Sequence, residues 1–340
     1  MLRKHLKSRL LQAVLVLGGV LAPIAAEAAC TGRNLFDAMP RATRMALTEK
    51  ARQTAYGQGV VWRATKGTQS IILVGTNHVP DPRHLALQQA LLPEFDKISA
   101  LLVEAGPDEE AALQKAMGER SDLMFMADKT LPDMMSQRDW QALRQLGADR
   151  GIPAPLLAKM QPSFVMITLS MPRCMLGSLQ AGQGGVDKRM MAEAQARNVP
   201  IMPLEPFDTL FTLMEGVPQE DEIAMLKSAM EATEDGDATM ATMADLYARG
   251  EIQLIWEFER RQALDRGEDP AAVTHQLAIT HDLLITTRNR NWMPVIEKAA
   301  AKGPIMVAAG ALHMVGGDGL LTLLAQEGWQ ISPVMRKLTF

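Results

Sequence analysis

The chain has 340 residues, a net charge of −4 and 47% hydrophobic residues, enough to bury a substantial core as one large domain or two intimate halves. No basic block interrupts the acidic balance, which disfavours a nucleic-acid partner. The 24 methionines are dispersed and read as flexible core filling rather than metal handling.

Arg3, Lys4, Lys7 and Arg9 precede an apolar run from Leu10 to Leu21, followed by Ala26-Glu27-Ala28. This is the pattern of a secretory signal peptide, residues 1–28, cut after Ala28. The expectation is a periplasmic or secreted protein with no stable membrane anchor after cleavage. Residues 29–340 then form a single domain. The two cysteines, Cys30 and Cys174, suit an oxidising compartment and are expected to form a disulfide. Without a Cys-x-x-Cys pattern, thiol redox chemistry and cysteine-bound zinc are poor readings.

Residues 31–58 read as a short helix and a lead-in. Val60–Ala64 and Ile71–Val74 flank Lys66-Gly67-Thr68, a hairpin with a glycine turn. The second arm runs into Gly75-Thr76-Asn77-His78, where the glycine is expected to turn the backbone sharply. Residues 84–95 follow as a helix ended near Pro93. Ile98–Val103 shows little alternation, as in a strand buried on both faces, and ends in Glu104. Residues 108–196 form a helical insert broken by prolines. Within it Gly182–Asp187 is a flexible loop that leads into a helix, and no Gly-Lys-Ser/Thr follows to make it a P-loop. Val199–Leu204 is a further strand, ending in Glu205, and residues 208–302 are nearly all helix. Ile305–Ala309 is a buried strand that enters Gly310-Ala311-Leu312-His313. A helix at about Leu320–Gln326 and a strand at Gln330–Met335 close the chain. The class is α/β: a central, largely parallel sheet with a mixed edge, surrounded by helices. The two strand–Gly-x-x-His units are candidate markers of pseudo-symmetric halves.

Four strands that read as buried thus end in His78, Glu104, Glu205 and His313, and in parallel sheets that rim is where ligands bind. A lone acid after a strand is often a helix cap or an ion-pair partner, but four such coincidences suit a site. Two histidines and a glutamate can hold a divalent transition metal such as zinc, cobalt or manganese and leave a position for water. His78, Glu104 and His313 are the candidate ligands, with Glu205 as general base. Arg288, in a donor-dense helical stretch, is a candidate for stabilising an oxyanion. Asn77 and Arg290 are candidate substrate-binding groups. For either arginine a structural salt bridge is an equally good reading. His84 reads as a surface or capping histidine. His275 and His281 are six apart on a helix, not on one face, and are not read as ligands.

Gly75-Thr76-Asn77-His78, Val103-Glu104, Gly185-Val186-Asp187, Leu204-Glu205, Arg288-Asn289-Arg290 and Gly310-Ala311-Leu312-His313 together resemble the TraB/GumN family, over about residues 30–338. That family includes the pheromone-shutdown TraB/PrgY proteins and the Tiki membrane proteases. The resemblance implies a fold similar to the erythromycin-esterase and ChaN-like superfamily. It also implies a functional set of His78, His313, Glu104 and Arg288, with Glu205 beside them. Tiki relatives are metal-dependent proteases, so the implied activity is a metal-dependent, peptidase-like hydrolase acting on a peptide or other small substrate. Two alternatives stay open. One is a non-catalytic ligand- or haem-binding protein. The other is a metal-free esterase-like hydrolase with His78 as general base and Glu104 orienting it. The sequence carries no signal for oligomeric state.

Overall fold

The structure, a computed structural model, describes residues 30–175 and 184–338. Six strands form one mixed sheet: β1 (Val61–Lys66), β2 (Gln69–Thr76), β3 (Ala100–Val103), β4 (Ile201–Pro203), β5 (Ile305–Gly310) and β6 (Gln330–Met335). Their order is β4-β3-β5-β2-β1-β6. The four from β4 to β2 run parallel, β1 is antiparallel to β2, and β6 is antiparallel to β1. Helices surround the sheet, so the fold is α/β as the sequence pattern predicts. Ile71–Val74 and Ile305–Ala309 are buried throughout, because β2 and β5 occupy the middle of the sheet, where both faces are covered. The hairpin turns at Gly67, whose φ of +60° lies in the left-handed region.

The expected elements are present with shifted bounds. Residues 31–58 hold two helices, a single turn at Leu35–Ala38 and α1 (Arg41–Arg52). Pro93 does not end α2 (His84–Phe95) but sits inside its last turn. β4 is only three residues long and half-buried, not a covered strand, because it is the sheet edge and pairs with β3 alone. Nor does the sheet divide into two equivalent halves. β2 and β5 are direct neighbours, but β2 is flanked by its own hairpin partner and β5 by β3.

The main core packs around the sheet. A second cluster, including Leu131, Leu143, Leu157, Val165 and Leu226, gives the helical insert a core of its own, with α3 (Pro162–Ser170) against the helix Gln219–Ala232. A third, small cluster joins Cys30, Val79 and Met175, with Met171, Cys174 and Met240 packed on it. Cys30 and Cys174 are disulfide-bonded across 144 residues, as expected from the cysteine count. The segment read as a signal peptide lies outside the described residues. Among the described residues no helix is long and apolar enough to cross a membrane.

Candidate functional site

Because β4, β3, β5 and β2 run parallel and adjacent, their carboxyl ends present Glu205, Glu104, His313 and His78 along one rim. The two Gly-x-x-His units are staggered by one residue, with Thr76 opposite Gly310. Their glycines do not turn the chain: neither Gly75 nor Gly310 has a positive φ, and each is still part of its strand. They are there for close approach. A side-chain carbon on Gly75 would come 3.1 Å from the Ala311 backbone in the other loop. One on Gly310 would lie 3.3 Å from Glu104 Oε1, 3.5 Å from His313 Cδ2 and 3.6 Å from His78 Nε2. The three side chains therefore meet around one point, beside the Gly310 backbone.

Each imidazole is held from behind. His78 Nδ1 pairs with Asp187 Oδ2 at 2.7 Å, and Asp187 Oδ1 accepts from Thr76 Oγ1 at 2.5 Å. Asp187 arrives in the first turn of α4 (Val186–Ala196). That helix docks through Gly185, where any Cβ would fall 1.8 Å from the Asn77 carbonyl oxygen, and through the Val186 amide, which donates to the same oxygen at 2.9 Å. On the other side, α5 (Thr287–Ala300) buries Arg288, Asn289 and Trp292 on one face. Asn289 Nδ2 donates to the carbonyls of His313 and Asp318 at 3.0 and 2.8 Å, which fixes its amide and leaves Oδ1 as acceptor for His313 Nδ1–H at 2.7 Å. His313 therefore carries its proton on Nδ1 and turns the Nε2 lone pair inward. The Trp292 ring lies 4.4 Å from it, tilted by 33°.

Arg288 is the hub. It donates to Glu205 through Nε and Nη2 (2.6–3.1 Å), to Glu104 Oε2 through Nη2 at 2.6 Å, and to His313 Nε2 through Nη1 at 3.1 Å. Trp292 Nε1 donates at 2.9 Å to Glu205 Oε2, which also accepts from Arg288 Nε, and the guanidinium stands 4.8 Å from the Trp292 ring. Glu104 Oε1 accepts from the Gly310 amide at 2.6 Å. Burial alone would raise Glu104, but His313, His78, Arg288 and the Gly310 amide outweigh it and draw its pKa down to about 2. Asp187 raises His78 to about 9 against the effect of burial, whereas burial pushes His313 down to about 4. Two histidines on one rim are thus driven in opposite directions, a pattern that marks functional sites.

These groups form one end of a cavity of about 460 Å³. Its other walls are apolar: Met171, Met175, Met240, Met243, Ile255 and Leu312 among them. Ile167 and Leu284 line it and are also exposed, an apolar rim at the opening.

Of the sequence candidates, His78, Glu104, His313 and Arg288 come together, with Glu205 behind Arg288. Asn77 lines the cavity, with its side chain accepting from the Val79 amide at 2.8 Å. Arg290 points to solvent and pairs with Asp318 at 3.1 Å. His84 is not a surface residue: it is 2% exposed, with its ring edge-on to Tyr247, because α2 begins beneath the His78 loop. His275 and His281 lie elsewhere, bonded to Asp221 and Thr286. Asp187 and Asn289 stand in the motifs of the resemblance without a role, and Trp292 stands in none. For Asn289 and Trp292 the signal was helical spacing, since positions 288, 289 and 292 share a face and 290 does not.

Among the described residues no three His, Asp, Glu or Cys side chains stand ready-made as a metal cage, and Arg288 occupies the His313 lone pair. The donor chemistry nonetheless fits a divalent cation. Two imidazoles have Nδ1 engaged by an oxygen acceptor and Nε2 directed inward, the orientation that outer hydrogen bonds impose on metal-binding histidines. The rim also gathers three carboxylates against one arginine.

No curated protein and no solved structure matches the chain. A family match runs over residues 60–333, from the first strand of the hairpin to the last strand of the sheet, and takes in every residue of this rim. The chain therefore belongs to the TraB/PrgY/gumN family.

Proposed function

We propose that the chain is a hydrolase of the peptidase type, with a divalent transition metal (zinc, cobalt or manganese) held by His78 Nε2, Glu104 and His313 Nε2. The observation that carries this reading is the meeting of those groups around Gly310, each imidazole braced at Nδ1. When bound, the metal would lower the pKa of a water and polarise the scissile carbonyl. The chain's own residues do the rest. Asn289 holds the neutral His313 ring in the tautomer that turns the Nε2 lone pair inward, and Asp187 orients His78, whose Nε2 proton leaves on metal binding. Glu104 stays ionised.

Ligation by His313 requires Arg288 Nη1 to release the Nε2 lone pair. Nε and Nη2 stay on Glu205 and Glu104, so the freed Nη1 can meet a developing oxyanion. Glu205, with both oxygens engaged by Arg288 and Trp292, is the holder of that arginine rather than a base facing the cavity. The apolar walls suit a substrate that carries a large apolar group beside the bond to be cut, and they keep bulk water away. Substrate contact from Arg290 has no support in this geometry. The Cys30–Cys174 disulfide fits work in the periplasm or outside the cell.

The test is dialysis against chelator, then titration with zinc, cobalt and manganese while bound metal and cleavage of apolar peptides are measured. Loss of both in His78→Ala and His313→Ala is expected. No metal uptake, with cleavage unchanged in His78→Ala, refutes the reading. The Arg288–His313 contact and the His78–Asp187 pair favour a metal-free hydrolase as second reading, in which Asp187, not Glu104, orients His78. Activity that survives chelator but not His78→Ala would select it.

A further inference from the structure

Far from the rim, α1 presents a cationic face in an otherwise acidic protein. Arg41, Arg44, Met45, Thr48 and Arg52 fall within about 100° of arc on the helix, along one flank of the stripe that buries Leu47 and Ala51. Together with Phe36, Asp37 and Arg249 they line a groove of about 600 Å³. Of its two acids Asp37 is paired with a cation, and Glu49 keeps its charge among the arginines. Asp37 is clamped by Arg249 through both oxygens, at 3.1 and 2.5 Å, and Glu49 accepts from Gln53. No hydrogen bond or ion pair engages the guanidinium groups of Arg41, Arg44 and Arg52 among the described residues. Charge is added next door, where exposed Arg336 and Lys337 pass against Gly250, immediately after Arg249.

Among these arginines stands Met45, 61% exposed, the highest value among the exposed large hydrophobic side chains of the described residues. An apolar tip flanked by unpaired cations on one helical face is the arrangement that lies in a bilayer interface. The cations meet phosphates and the apolar group enters the acyl boundary. A soluble anion would be served by the arginines alone and gives no role to the exposed methionine.

We propose that this face of α1 is a docking surface for a membrane leaflet rich in anionic phospholipid, with a headgroup phosphate in the groove and Met45 at the acyl boundary. It does not depend on the chemistry at the rim and could hold if that reading fails.

The experiment compares the full chain with its Arg41→Gln/Arg44→Gln/Arg52→Gln variant in co-sedimentation with vesicles of phosphatidylcholine, alone or mixed with phosphatidylglycerol. Residues 1–29 are common to both chains, so the difference isolates α1. The variant should lose the phosphatidylglycerol-dependent binding by about 100-fold at low salt, from three arginines near an anionic surface. Met45→Ser should weaken it less, and added salt should close the gap between wild type and triple variant. All four side chains are at least partly exposed, so unchanged urea midpoints will certify the folds. Equal binding of wild type and triple variant overturns the proposal. So does displacement of the wild type by inorganic phosphate at the lipid-phosphate concentration, which would make the groove a site for the free ion.

Discussion

Replacing Asp187 by asparagine tests how the rim is built. In wild type the carboxylate accepts from His78 Nδ1 at 2.7 Å and from Thr76 at 2.5 Å, and its charge is the main reason that His78 is raised from 6.5 to about 9. Asparagine keeps the shape but not the charge. In metal-free protein, His78 should then titrate well below its wild-type value. The folded pKa is the raised one, so the pair's contribution to stability is fully present below about 6.5 and is lost as pH rises towards 9. A shift of that size sets a ceiling of about 3 kcal/mol. The His78 side chain is 64% exposed, and solvent screening lowers the expected difference to about 1 kcal/mol. Wild type should therefore exceed Asp187→Asn in stability at pH 6 and match it at pH 9.5. The amide would also donate to Nδ1 and move the ring proton to Nε2, lowering metal affinity by about 10- to 100-fold. The assays are an NMR titration of the His78 ring, urea unfolding at the two pH values, and metal titration. A wild-type His78 that titrates near 6.5, or identical titrations in the two chains, would refute the reasoning.

Gly185→Ala puts a carbon 1.8 Å from the Asn77 carbonyl. It should cost about 2 kcal/mol or more in urea unfolding and return His78 towards its ordinary pKa by pulling α4 off the loop. Arg288→Met leaves Glu104 and Glu205 without their cation. A loss of about 3–5 kcal/mol is expected by thermal or urea unfolding, and Arg288→Lys should rescue little, because one ammonium cannot reach two carboxylates and His313. Cys30→Ser/Cys174→Ser should cost about 2–4 kcal/mol. Since Met171 and Met175 line the cavity beside Cys174, it should also raise KM more than it lowers kcat for an apolar substrate.

The parallel strands, the disulfide and the four rim residues were legible because each rests on local pattern: an apolar run, a terminal acid or histidine, a paired cysteine count. What escaped depends on tertiary placement. Asp187 looks like any acid in a helix's first turn, and only the docking of Gly185 on Asn77 delivers it to His78, 109 residues away. Arg288 and Arg290 look alike in sequence, yet two helical positions apart they face different ways. A π-turn at Asp282–Thr286 lies just before them, and single-sequence patterns carry no trace of such a turn. His84 reads as a surface residue because its neighbours Asp81 and Arg83 are charged, yet those two pair with each other and let the ring be buried. β4 reads as a covered strand from its apolar run, although an edge position has only one neighbour to pair with.

β5 lies between β3 and β2 although it is made some two hundred residues after them. A nascent chain that has passed through β2 and β3 holds His78 and Glu104 on strands with no common neighbour. His313, Asn289 and Arg288 are still to come, and β6 has yet to close the edge of β1. The rim cannot assemble piecemeal: it comes into being when the last strands slot in.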